Sequence, residues 1–434
     1  MNRTLFLLVC LSGCGSSFGQ SKPAADTPKG LLSDTLPRWL RVGATIRGRW
    51  ERPEGSSFVA GGADSYYLDR MRLSVAAGPL PWLKLFAEGQ DTRAWGYSQG
   101  SAPASMRDPW ELRQGYVELG GGESRGAFVR FGRQEVGLGA GRLVSPGEWG
   151  NTGKSFDLIR GSAYRKGMRF DFFAGSVVLT DGNRFDRHKA GEHFYGTYNV
   201  LTRLIPQSTV EPYLLVKTQM NVTPEIGAKG DAAIYTAGLR IFGKLPVGFD
   251  YSVEVAKQVG SYSGDGISAL AGTYTLGWTY PAPRTRPRFS ADYSHASGDS
   301  NPKDGRRRTF DMLYGSSQPY HSLTGQIGWR NLRDLRAGFD FAPLANCKVN
   351  LDYRDFRLAS AQDGLYNSSG TQIALDRKAT STHVGQAVEG QIAYRFPKAI
   401  TASAGLGKLF ASDFLKQAGK GSFVYPFVTW TKRF

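Results

Sequence analysis

The stretch WLRVGATIRGRW, residues 39–50, decides the fold. Leu40, Val42, Ala44, Ile46 and Trp50 share one parity, with Gly48 interrupting, and Arg41, Gly43, Thr45, Arg47 and Arg49 share the other. Strict alternation marks a strand half-buried on one face, and here the opposite face is cationic. The pattern recurs. Met71, Leu73 and Val75 oppose Arg70, Arg72 and Ser74; Val129 and Phe131 oppose Arg130 and Gln134; Met168, Phe170, Phe172 and Ala174 oppose Arg169 and Asp171. Farther on, Tyr235, Ala237, Leu239 and Ile241 alternate with Thr236, Gly238 and Arg240, and Phe249, Tyr251, Val253 and Val255 with Asp250, Ser252 and Glu254. Leu335, Ala337, Phe339 and Phe341 then alternate with Arg336, Gly338 and Asp340, and Val349, Leu351 and Tyr353 with Lys348, Asn350, Asp352 and Arg354.

Composition narrows the class. The 434 residues are only 41% hydrophobic, yet carry 55 Gly, 25 Phe, 20 Tyr and 9 Trp spread along the chain, which excludes disorder. No stretch after residue 20 approaches the roughly 18 consecutive apolar residues of a spanning helix. The formal net charge of +17 suits a nucleic-acid binder, a partner of anionic lipid or a conduit for anions. Arg3 followed by the apolar run Thr4 to Leu11 and by small residues is the layout of a secretory signal peptide, which removes the nucleic-acid reading. Ser17 and Gly19 suit ordinary cleavage before Gln20, whereas Leu11-Ser12-Gly13-Cys14 matches a lipobox and would make Cys14 a lipidation site. The expected organisation is a signal peptide at 1–19, a polar tether at 20–37 and one unit from 38 to 434. Cys347 is the single cysteine of that unit, so no internal disulfide framework is available to it.

Connections alternate in length. Gly78 to Pro81, Arg165 to Gly167, Gly243 to Pro246, Pro281 to Arg286 and Ala342 to Asn346 are tight turns. Pro53 to Ser65, Ala94 to Pro109, Val136 to Ser155, Asp181 to His193, Gly298 to Gln318 and Ser360 to Thr382 are long, polar and glycine-rich. A soluble sandwich of this length would divide into domains, and no linker divides the chain. A closed transmembrane barrel puts lipid on the apolar parity and water on the polar one, with turns at the periplasmic end and loops outside. The final strand ends on Trp430 to Phe434, like the terminal signal of outer-membrane barrels. The count is 18 or 19 strands, according to whether Tyr320 to Trp329 is a strand or folded loop; even numbers are the rule in single-chain bacterial barrels, so about 18 strands are expected. A barrel of that width leaves an aqueous channel.

The candidate site is the water-facing parity itself. Arg41, Arg47, Arg49, Arg70, Arg72, Lys84, Arg130, Arg169, Lys217, Arg240, Arg288, Arg336 and Arg354 fall on it, interleaved with Glu88, Glu118, Glu211, Glu254, Asp292 and Asp352. Rings of Arg and Lys select anions, and guanidinium groups grip carboxylates bidentately. The same charges also serve simply to pair across strands and keep a channel wet.

Phe131-Gly132-Arg133-Gln134-Glu135, Gly141-Arg142-Leu143-Val144, Glu148-Trp149-Gly150-Asn151 and Ser155-Phe156-Asp157 together resemble the alginate-export family of outer-membrane porins, with further matches at Glu211-Pro212-Tyr213, Ser297-Gly298-Asp299, Phe310-Asp311 and Trp329-Arg330-Asn331-Leu332. The resemblance covers about residues 39 to 434. It implies an 18-stranded barrel whose electropositive lumen passes a linear polyuronate outward by diffusion, with Arg133 and Arg142 near a constriction and Glu135 and Asp157 as counter-charges. Gly139-Ala140-Gly141 departs from the polar, acidic turn more usual in the family. The expected partners are outer-membrane lipid and lipopolysaccharide, and an anionic polysaccharide or small anions, with a monomeric barrel and no cofactor.

The alternative is a barrel that serves as scaffold for an enzyme or adhesin; a serine, a histidine and a carboxylate clustered at one end would favour the enzyme. His188, His193, His295, His321 and His383 form no metal or triad signature in sequence. Asp299, Asn301 and Asp304-Gly305 are a faint echo of a Ca²⁺ loop, with Phe310 where the closing Glu would stand.

Overall fold

The computed structural model describes residues 35–121, 126–224, 227–281, 285–318 and 320–434. The leader, Cys14, most of the tether and Gly122 lie outside them. The strands are β1 (Leu40–Glu51), β2 (Tyr66–Leu80), β3 (Leu83–Trp95), β4 (Asp108–Gly120), β5 (Ala127–Gln134), β6 (Phe156–Arg165), β7 (Met168–Leu179), β8 (Glu192–Leu201) and β9 (Ser208–Val222). They continue as β10 (Gly230–Lys244), β11 (Phe249–Tyr262), β12 (Asp265–Thr279), β13 (Arg288–Ala296), β14 (Leu332–Leu344), β15 (Cys347–Leu358), β16 (His383–Phe396), β17 (Ile400–Ala411) and β18 (Phe423–Arg433). Each pairs antiparallel with the next, and β18 returns to β1 with Gly48 opposite Trp430. The barrel is thereby closed, and every spanning backbone group finds its partner in a neighbouring strand. Tyr320 to Trp329 is folded loop, as the count of 18 requires.

Register follows the sequence alternation. Met71, Leu73, Leu85, Val117, Phe172, Leu335, Leu406 and Val428 are all exposed, forming the apolar outer wall, while Arg47, Arg49, Arg70 and Arg72 on the other parity are buried. The start of β1, the end of β18 and the short turns lie at one end, which in such barrels is periplasmic. One connection at the opposite end departs from the expected long loops. Between β11 and β12 only Ser263 and Gly264 turn the chain, both at positive φ (53° and 98°), the pair of conformations a two-residue hairpin of this twist needs.

A second departure concerns the lumen, whose inward parity is not polar throughout. Asp171 is followed on the inside by Phe173, and Arg354 by Phe356 and Leu358, so the outer half of the wall turns apolar. The cause is two long connections that fold inward. Residues 135–155, here inner loop A, and residues 297–331, inner loop B, carry Val136, Leu138, Leu143, Val144, Phe310 and Met312 into a dry cluster against Phe156, Phe173, Phe194 and Leu215. Leu323 and Ile327 of loop B enter a second cluster with Phe356, Leu409 and Phe427. Burying that surface requires apolar wall residues opposite it.

A closed barrel resists detergent until heated, so the purified protein should migrate faster on gels before boiling than after, with a strand-dominated circular dichroism spectrum. A mainly helical spectrum would contradict the fold.

Candidate functional site

The inner loops position the charges. Loop A leaves β5 at Gln134 and brings its tip against the wall of β1 to β4. Arg47 Nη1 donates to the Glu148 carbonyl (2.6 Å), and its Nη2 donates to the Gly150 carbonyl and to Asn151 Oδ1 (both 3.0 Å). Arg49 Nη1 donates to the Trp149 carbonyl (2.5 Å), lies over the Trp149 ring at 4.7 Å, and pairs with Glu51. The Glu148 carboxylate is bridged by Arg70 and Arg72, each at 3.0 Å, and Glu135 by Arg113 at 2.8 Å and Arg72 at 3.5 Å. Five guanidinium groups thus surround three carboxylates: Arg49, Arg70, Arg72 and Arg113 pair with Glu51, Glu135 and Glu148, and Arg47 binds the Glu148 main chain. Burial alone would raise the Glu148 carboxyl, but Arg72, Arg70, Arg113 and Arg47 together hold it well below the ordinary carboxylate range.

The other expected cations are distributed differently. Arg130 pairs with Glu118 at 2.5 Å, Arg240 with Glu211 at 2.7 Å, and Arg160 and Arg169 share Asp171 at 3.0 and 3.1 Å. On the wall from β11 to β16 the balance reverses. Arg288, Arg336 and Arg354 are shared among Asp250, Asp340, Asp292, Asp352, Asp334 and Glu389, so that arc is acidic. The excess of Arg and Lys read from the sequence does not extend to that arc, where carboxylates outnumber cations. Arg41 and Lys84, each the second residue of its strand at the periplasmic end, have no ion-pair partner among the described residues; Lys84 Nζ stands 5.9 Å from the Tyr116 ring.

Arg133 and Arg142 occupy the region of the inner loops, with partners partly other than expected. Arg133 binds Asp157 at 2.8 Å and Glu111 at 3.3 Å, whereas Glu135 belongs to Arg113 and Arg72. Arg142 reaches across the lumen to Glu254 on β11 at 4.0 Å and stacks 4.6 Å from the Tyr320 ring of loop B. Glu88 accepts from the Gln114 amide at 3.2 Å. The glycines before Arg142 have a local reason. Gly139 and Gly141 take positive φ (55° and 83°), and a side chain at Gly139 would overlap the Tyr198 hydroxyl.

The two inner loops meet along a seam. Tyr314 N donates to the Leu143 carbonyl (2.9 Å), Ser145 N to the Tyr314 carbonyl (3.2 Å) and Ser316 N to the Gly141 carbonyl (3.3 Å). Lys154 Nζ adds bonds to the carbonyls of Tyr314 (3.0 Å) and Gly315 (2.8 Å). Loop B is fixed to the wall by Asp311, paired with Lys217 at 3.5 Å and, within the loop, with Arg330 at 3.1 Å, by Tyr314, whose hydroxyl donates to Glu192 (2.7 Å), and by Leu323, whose N–H donates to Glu389 (3.0 Å). Burial, then the field of Lys217, lowers the Lys154 ammonium from 10.5 to about 8. Anion preference of the channel should therefore fall as pH rises from 7 to 9, and Lys154→Met should flatten that change in reversal-potential measurements. The folded value lies below the ordinary one, so the unfolded chain binds more protons in this window and stability rises with pH. Unfolding would not mimic the effect.

Sequence reasoning did not single out Glu148, Arg113, Lys154 or Asp311 as site residues; Glu148 and Asp311 lay in motifs quoted for the family resemblance. Asp299 uses its two carboxylate oxygens on the N–H groups of Asn301 (3.1 Å) and Arg308 (3.3 Å). A serine, a histidine and a carboxylate do meet at the outer rim. Ser412 Oγ lies 2.9 Å from His383 Nδ1, and His383 Nε2 lies 2.9 Å from Asp355. This reverses the nitrogen order of the serine-hydrolase relay, and Asp355 is shared with Arg357 at 2.8 Å.

A closed 18-stranded barrel with inward loops and a charged lumen defines a channel of the bacterial outer membrane, in contact with membrane lipid and passing solutes. The chain belongs to the alginate export family, whose sequence profile matches residues 38–428. Family and fold are those of transport porins. No curated protein matches the chain in sequence. Among solved structures it is similar to Pseudomonas aeruginosa OccK3 (OpdO), at 10% identity over 92% of this chain and 97% of that one with a TM-score of 0.61. It is also similar to OpdQ of the same organism, at 11% identity over 91% and 97% with a TM-score of 0.61. A third is P. aeruginosa OpdK with vanillate, at 11% identity over 91% and 98% with a TM-score of 0.60. At such identities the likeness is one of fold.

Proposed function

We propose that this channel passes anionic solutes and that its cargo is a linear polyuronate moving outward by facilitated diffusion. The observation that carries the reading is the cationic arc, the five guanidinium groups of Arg47, Arg49, Arg70, Arg72 and Arg113 gathered about the carboxylates of Glu51, Glu135 and Glu148. Unpaired Arg41 and Lys84 at the periplasmic end supply the first contacts for a carboxylated chain. A low-dielectric wall focuses the field of such groups into the lumen, and guanidinium exchanges water for bidentate carboxylate contacts. Family membership supports the polymer; the chemistry of the arc supports the anion.

The acidic arc on β11 to β16 favours a second reading, a general channel for polar solutes whose opposed arcs act on any dipolar molecule. Reconstituted bilayers separate the two. Arg41→Glu with Lys84→Glu should lower chloride preference over potassium, while Lys303→Glu, on an exposed turn of loop B, should not. Oligouronates on the periplasmic side should block current transiently and neutral oligosaccharides of equal length should not. The preference should fade toward 1 M salt, where the screening length is about 3 Å. Equal block by both sugars would leave the general channel.

A further inference from the structure

The outer wall carries charge where its parity is otherwise apolar. His295, Arg333, Arg357 and His383 lie directly opposite one another across β13, β14, β15 and β16, all on the lipid-facing parity. Each stands within two residues of its strand's outer end. Cationic residues on a lipid face are costly at the bilayer midplane and nearly free at the interface, so the row marks the level of the outer headgroups. Like charges opposite one another repel, and protein carboxylates relieve this one only in part. Asp355 takes Arg357 at 2.8 Å and His383 at 2.9 Å, but exposed Arg333 has no ion-pair or hydrogen-bond partner among the described residues. Beside Arg333 a groove of about 240 Å³ runs along the outer wall, lined by Val255, Leu270, Gly272 and Tyr274 and bordered by His295 and Arg333. Cation and apolar groove thus adjoin at one depth of the membrane.

We infer that this row and groove bind one molecule of lipopolysaccharide of the outer leaflet, its lipid A phosphate on Arg333 and Arg357 and an acyl chain in the groove. The phosphate supplies the anion that Arg333 lacks, in the bidentate geometry that guanidinium prefers. The groove supplies the apolar surface that a soluble phosphate would not use. Elsewhere on the same rim the balance is different: Arg93 is neutralised by Asp91 at 3.0 Å, and Asp69 accepts from the Trp95 indole.

The test is native mass spectrometry of the intact barrel in detergent with added bisphosphorylated lipid A. The wild-type barrel should hold one molecule, and Arg333→Ser with Arg357→Ser should weaken binding at least about tenfold, as should removal of the lipid A phosphates. Arg93→Ser should bind like the wild type. Heat-modifiable migration checks that each variant is folded, and Arg333→Ser alone, which breaks no protein ion pair, should still weaken binding. Undiminished binding by Arg333→Ser would overturn the inference. So would equal binding of the dephosphorylated lipid, which would reduce the site to the groove, or equal displacement by phosphatidylglycerol, which would reduce it to generic anionic-lipid contact.

Discussion

Replacing Glu148 by glutamine should free the tip of inner loop A and strengthen anion preference together. The side chain keeps its size but loses the charge that Arg70 and Arg72 each approach at 3.0 Å, and that pair of bonds holds the loop tip to β2. Removing one partner of a buried ion pair costs about 3–5 kcal/mol because the other charge stays behind. The carboxylate here retains 18% side-chain exposure, which puts the expected loss near the low end, about 3 kcal/mol. At about 1.4 kcal/mol per tenfold, amides of residues 147–152 should exchange roughly a hundredfold faster with deuterium. The arc then sets five guanidinium groups against two carboxylates, so chloride preference over potassium should rise in the same variant. Faster exchange with unchanged selectivity would mean that the arc does not face the permeation path.

Much of the wall was legible because period two is a local property. Arg47, Arg49, Arg70 and Arg72 point inward, and Leu73 and Phe172 outward, as the alternation dictates. What lies opposite an inward side chain is not local. Arg47 meets Glu148 across 101 positions of sequence, and Glu148 itself sits in a glycine-rich stretch with no periodicity to mark it. For the same reason the acidic arc was hidden. Arg336 reads as one more lumen cation until the fold places Asp292 at 2.5 Å and Asp352 at 2.6 Å from it. The dry outer half was hidden as well, since an inward Phe173 or Phe356 breaks the polar parity in a way that only the inward loops explain. The long connections were visible as loops; their direction was not.

That direction makes the seam between the loops the narrowest claim about passage, and Gly315 offers a way to pry it apart. A Cβ at Gly315 would press on the carbonyl of Arg142 in loop A, whose carbon lies 2.7 Å from the added atom. The obstacle is backbone and cannot rotate away. Gly315 does not adopt a positive φ, so alanine adds no conformational strain of its own, and the whole effect falls on the contact between loops. Gly315→Ala should therefore part the bonds from Tyr314 N to Leu143 and from Ser316 N to Gly141, raise deuterium exchange in residues 138–145, and increase single-channel conductance. Gly161→Ala, where nothing lies within 4 Å of the added carbon, should leave both unchanged. Charge at the seam is untouched by either substitution, so the sign of ion preference should persist while conductance grows. A barrel that conducts alike with glycine or alanine at 315 would place the solute path beside the seam, along the wall of β1 to β4, and the two loops would then act as fixed lining and not as a barrier.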